Sequence, residues 1–172
     1  MVDYQKIKLI VLDVDGTLTD GGIYYDAQGN ELKRFDVKDG LGIKVGIAAG
    51  LEFAIITGRV SPMVERRAGE LGIRHLVQGA QKKHEMLHKL IVSNGIAADE
   101  VCYIGDDWND MQCMEVVGVK MCPADAVPEI RRLCDYVAQS NGGHGAVRDC
   151  LEELLRKRSQ WEAFCRKVYS CE

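Results

Sequence analysis

The stretch "KLIVLDVDGTLTDGG", residues 8–22, decides how the chain is read. Leu9, Ile10, Val11 and Leu12 run without a polar break, and Val14 follows after one aspartate. So short an apolar run, closed by turn residues, reads as a strand buried on both faces. It ends on Asp13 and Asp15, one residue apart, and then Gly16. Side chains alternate in an extended chain, so the two aspartates point one way and Val14 the other. Two carboxylates held together at the mouth of a buried strand repel each other, and such a pair needs a chemical reason.

Working outward, further strand-like segments recur at 53–56, 75–77, 101–104 and 119–122, with a weaker one at 136–138. Helix-like stretches lie between them at 41–49, 62–71, 83–94, 108–117 and 127–133. Pro62 suits a first helical turn, and Gly72 and Gly95 suit the left-handed position after a helix end. The alternation predicts an α/β fold, a Rossmann-like parallel sheet with helices on both faces, whose ligands bind beyond the carboxyl ends of the strands. "GGIYYDAQGNELKRFDV", residues 21–37, breaks the rhythm and predicts a β-hairpin inserted after the first strand. It is too short to fold alone, so Ile23, Tyr24, Tyr25 and Phe35 must pack on the body or on another subunit. Residues 145–172 predict a helix with Val147, Leu151, Leu154 and Leu155 on its apolar face, then a basic tail with Trp161, Phe164 and Tyr169.

A chain of 172 residues fits a single domain over 1–172, because at about 150 residues some 68–70% of the unfolded surface can be buried. A net charge of −4 gives no reason to expect nucleic acid or an anionic membrane. No apolar stretch approaches the roughly 20 residues of a membrane span, and the N-terminus lacks a cleavage-site pattern, so a cytoplasmic protein is expected. Seven cysteines, an odd number without any C-x-x-C pair, predict free, reduced thiols rather than a disulfide framework or a zinc site.

Hydrophilic clusters follow four of the strands: "DVDGT", "TGR", "QGAQKK" and "GDDWND". A parallel sheet brings them to one edge, gathering Asp13, Asp15, Thr57, Lys82 or Lys83, Asp106, Asp107 and Asp110. So many acids demand a cation, and all-oxygen ligands suit Mg²⁺. A calcium loop does not fit, because its fifth and twelfth positions are Thr17 and Tyr24. Strand-end aspartates often act as caps, but capping does not explain four clusters on one edge.

These motifs, in this order, resemble the haloacid dehalogenase superfamily of aspartate-nucleophile phosphotransferases. The hairpin insertion, "IITGR" and the late "GGHGAVRD" resemble its small, nearly capless members that hydrolyse 3-deoxy-D-manno-octulosonate 8-phosphate. The resemblance implies Asp13 as nucleophile and Asp15 as the acid and base that serves the leaving group and the water. It implies that Thr57, backbone near Gly58, and Lys83 rather than Lys82 hold the phosphoryl group. Mg²⁺ is expected on Asp13, the backbone carbonyl of Asp15, and Asp106, with Asp107 and Asp110 in supporting roles and direct ligation by Asp107 left open. Arg59, directly after Thr57 and Gly58, is placed to meet the carboxylate of a phosphorylated sugar acid, or else pairs with a surface acid such as Glu65. Arg66 and Arg67 read as solvated helix residues, either of which could instead reach that carboxylate. His144 stands where relatives often carry arginine. A homotetramer with hairpins at its centre is implied. The alternatives are a phosphatase for a nine-carbon sialic-type acid phosphate or other small phosphosugar, and a non-catalytic oligomeric scaffold.

Overall fold

Leu9–Leu12 form strand β1, fully buried because β1 is central in its sheet. The computed structural model describes residues 2–169. Glu52–Ile56 (β4) pairs with β1 on one side and Val101–Ile104 (β6) on the other, both parallel. His75–Val77 (β5) extends the sheet beyond β4, while Val119–Cys122 (β7) and Tyr136–Val137 (β8) extend it beyond β6. The order β5-β4-β1-β6-β7-β8 reverses direction at β1, and a crevice opens at such a reversal beyond the strand ends.

Alternation along β1 divides the core in two. Ile10 and Leu12 pack against helices Val37–Ala48 (α1), Pro62–Leu71 (α2) and Ala146–Lys157 (α6). Leu9 and Val11 pack on the other face with Lys83–Ser93 (α3), Met111–Met114 (α4) and Pro128–Leu133 (α5). Asp13 continues the Leu9 and Val11 register, which directs its carboxylate toward the start of α3.

Several elements depart from expectation. Helix α1 begins at Val37 rather than residue 41, with Asp36 capping it by accepting from the Lys38 amide. Gly40 and Gly42 argue locally against helix, but at Gly42 an added Cβ would meet the Arg148 backbone at 3.1 Å, so glycine lets α1 lie close on α6. The expected helix 108–117 is a 3₁₀ turn at Trp108–Asp110 followed by the single turn of α4, because Asp110 turns inward to buried polar partners. The expected tail is a second helix, Trp161–Tyr169 (α7); Trp161 is buried, with the Arg148 guanidinium over its ring. Cys171 lies outside the described residues, and the other six cysteines are free.

The insertion is a hairpin of Tyr24–Tyr25 (β2) and Glu31–Leu32 (β3), and residues 33–36 run on without regular structure to the start of α1. Asp26 closes its turn by accepting from Gln28 and from both the amide and the side chain of Asn30. Phe35 packs against the molecule's own core, whereas Ile23, Tyr24, Tyr25 and Leu32 are exposed.

Candidate active site

The cleft at the sheet's carboxyl edge has a volume of about 220 Å³ and is lined by Asp13, Asp15, Thr57, Gly58, Arg59, Asp107 and Asn109. The turn after β1 creates it. Gly16 has a φ of +93°, and a Cβ there would lie 2.1 Å from Asp106 Oδ2, so only glycine brings this turn beside Asp106. Thr17 donates to Asp106 Oδ1 at 3.1 Å. Behind the turn, Gly143 donates to the Thr17 carbonyl, Arg34 donates to the Gly143 carbonyl, and the His144 Nδ1 edge meets the Gly142 carbonyl. The "GGHG" loop thus supports the turn from outside the cleft lining.

At the floor, the Lys83 ammonium lies 2.7 Å from Asp13 Oδ1 and 2.8 Å from Asp110 Oδ1. Lys82 instead points outward to Glu85. Tyr103, on β6, donates to Asp110 Oδ1 at 2.7 Å, and the Asp106 amide donates to Asp110 Oδ2 at 3.1 Å. Both Asp110 oxygens are therefore engaged, and its role is to hold Lys83 and the turn after β6. Asp107 accepts from the Trp108 amide and lines the cleft, capping the 3₁₀ turn.

One ammonium faces three buried or half-buried carboxylates. Burial alone would lower Lys83, but Asp13 and Asp110 outweigh it and hold the ammonium above its ordinary range. Burial, then Asp110, pushes Asp13 upward against the pull of Lys83. Asp106 is pushed up to about 7 by burial and by Asp110. This surplus of negative charge calls for a further cation. Carboxylate oxygens of Asp13, Asp106 and Asp110 come within 4.8 Å of one another. With Asp110 committed, Asp13 and Asp106 remain as donors, and an oxygen-only set of this kind fits a hard divalent ion.

At the rim, the hairpin supplies two residues that motif reading missed. Lys33 forms an ion pair with Asp15 Oδ1 and lies 3.7 Å from Glu31. Arg59 pairs with Glu31 at 2.6 Å, not with Glu65, and its Nε is 4.0 Å from Asp15 Oδ2. Alternation in "ELKRF" carries the signal, since Glu31, Lys33 and Phe35 share a strand face and Phe35 needs the core. Arg66 and Arg67 both pair with Glu70 on α2.

Comparison with known proteins places sequences and folds of one kind beside this chain. A model of haloacid dehalogenase-like hydrolases matches residues 75–150. The 3-deoxy-D-manno-octulosonate 8-phosphate phosphatase of Escherichia coli (strain B / BL21-DE3) is 44% identical over 155 residues, 90% of this chain and 82% of that protein. The corresponding phosphatase from Moraxella catarrhalis, solved with magnesium, phosphate and KDO, is 41% identical with a TM-score of 0.92, covering 96% of this chain and 97% of that one. A cobalt-bound relative from Haemophilus influenzae has a TM-score of 0.89 at 36% identity, covering 94% of each chain.

Proposed function

The chain belongs to the 3-deoxy-D-manno-octulosonate 8-phosphate phosphatases of the haloacid dehalogenase-like hydrolases, and we propose that it removes phosphate from that sugar acid through an aspartyl-phosphate intermediate. The observation that carries the reading is the buried Asp13–Lys83 pair under an oxygen-lined cleft. A carboxylate there reaches an incoming phosphorus, and the adjacent ammonium offsets the charge of the group in transfer.

Asp13 attacks phosphorus in line and expels the sugar alkoxide. Asp15 hands that oxygen a proton and afterwards takes one from the water that cleaves the aspartyl phosphate. Two carboxylates share the cleft because the nucleophile cannot also serve as the acid. Thr57 and the amide at Gly58 hold phosphoryl oxygens. Mg²⁺ would be held by Asp13, Asp106 and the backbone carbonyl of Asp15, with Asp107 beside it and Asp110 holding Lys83. When bound, it neutralises charge on the phosphate oxygens. Arg59, half-exposed at the rim, is the group for the sugar carboxylate, exchanging Glu31 for it.

Among the described residues no cap domain lies over the cleft, so selection of the sugar draws on a neighbouring subunit. Ile23, Tyr24, Tyr25 and Leu32 offer exposed apolar area for a homotetramer joined through its hairpins. Six free cysteines, four of them buried, suit a reducing, cytoplasmic setting. Phosphate release across a panel of phosphosugars tests the substrate. The highest kcat/KM falls on 3-deoxy-D-manno-octulosonate 8-phosphate; preference for a nine-carbon acid phosphate would overturn that choice, and no release from any phosphomonoester would make the chain a scaffold.

A further inference from the structure

Lys33 is the most deeply buried cation of the rim, and the mechanism above leaves it unused. We propose that Lys33 is a positioning residue, which fixes the carboxylate of Asp15 so that its second oxygen faces the leaving group. The proposal rests on the phosphatase reading of the same cleft.

Three observations carry it. The Lys33 side chain is 2% exposed, although the neighbouring hairpin residues Tyr24, Tyr25 and Leu32 stand open to solvent. An ammonium leaves water at a high cost unless its partners are charged, and both partners here are carboxylates, Asp15 and Glu31. Secondly, Asp15 sits on a turn rather than in a strand, with its side chain 28% exposed. The ion pair with Lys33 engages Oδ1 of that carboxylate. Thirdly, the remaining oxygen, Oδ2, lies 4.0 Å from Nε of Arg59, and both residues line the cleft. A proton-transfer group must lie within hydrogen-bond reach of the atom it serves, so holding one oxygen aims the other.

Glu31 joins the two halves of the rim, since it accepts from Arg59 and also faces Lys33. When a substrate carboxylate takes Arg59, Glu31 is left to Lys33, and the hairpin stays tied to Asp15. The hairpin thereby contributes to chemistry in its own subunit, separately from any contact between subunits.

The test compares leaving groups. A sugar alkoxide needs a proton to depart, while p-nitrophenolate does not. In K33M, kcat for the sugar phosphate falls about tenfold or more with KM within about twofold of wild type, a fraction of the usual worth of acid catalysis. Single-turnover release of p-nitrophenolate, which reads only the first step, falls less than about threefold and also reports that the variant is folded. K33R restores most of the lost kcat. In D15N, adding K33M costs nothing further, because the lysine acts only through that carboxylate. Equal loss on both substrates in the single-turnover release of the leaving group, a rise in KM alone, or additive losses in the double variant would overturn the proposal. Wild-type enzyme inactive on every phosphomonoester would overturn the phosphatase reading and this proposal with it. Wild-type turnover with an unaltered K33M would overturn this proposal alone.

Discussion

The floor and the rim of the cleft are both built from ion pairs, yet they differ in what surrounds them. At the floor, Lys83, Asp13 and Asp110 are almost wholly buried, and Tyr103 and the Asp106 amide occupy the remaining Asp110 positions. At the rim, Lys33 is buried against Asp15, but Arg59 is 42% exposed, and its pair with Glu31 is the one open to exchange in the proposed reading. Fully desolvated pairs are rigid and costly to break, while exposed pairs exchange with little loss. On the function proposed above, this difference would separate chemistry common to all phosphomonoesters from recognition of one of them.

Substitution at the floor has the largest expected effect. D13N abolishes phosphate release while the chain stays folded, because an amide cannot attack phosphorus. More than a few per cent residual turnover would break the assignment of the nucleophile. Excess EDTA also silences turnover and Mg²⁺ restores it, whereas Ca²⁺, with a looser and larger coordination shell, binds without supporting it. Full activity in EDTA would remove the metal from the account. D15N, at the boundary of the two regions, loses a factor of about 10²–10⁴ on the sugar phosphate and less on p-nitrophenyl phosphate. A steady-state comparison of both substrates checks it.

The smallest effect sharpens the comparison from outside the cleft. Asp39 is buried like Asp13 but has no ammonium beside it; its Oδ1 accepts from the Arg148 amide at the start of α6, and its Oδ2 is unpartnered. Burial pushes this acid up to about 6 from an ordinary 3.8, against the pull of the α6 amides. A raised acid favours the fold while protonated, so that stability is complete below about pH 4 and is lost as pH rises through about 6. D39N keeps the cap acceptor and escapes the loss. Its melting temperature relative to wild type therefore rises between pH 4 and pH 7, on the scale of about 2–4 °C per kcal/mol for a chain of this size. A gap independent of pH would mean that Asp39 is charged in the fold throughout.

How much could be read in the sequence follows the same division. The β1 run, the alternation of strands and helices, and the acids after β1 and β6 were legible because periodicity and strand ends are local properties. Helix α1 starts four residues before the local pattern suggests, because Gly40 and Gly42 speak against helix locally and only the approach of α6 and α2 explains them. The inward turn of Asp110 was hidden for the same reason, since its partners Lys83 and Tyr103 come from α3 and β6. The rim was least legible. No short motif announces that Lys33 crosses from the hairpin to Asp15, or that Glu31 rather than Glu65 meets Arg59.

The floor performs the chemistry, and Arg59, on the exposed side of the rim, chooses the substrate. The most direct test is kcat/KM for R59A on 3-deoxy-D-manno-octulosonate 8-phosphate and on p-nitrophenyl phosphate, which lacks the carboxylate. The account predicts a loss of an order of magnitude or more on the sugar acid, the scale of a charged hydrogen bond at about 1.5–3 kcal/mol, with the aryl phosphate spared. Equal loss on both substrates would place Arg59 in phosphate binding or in the fold, and would contradict the division.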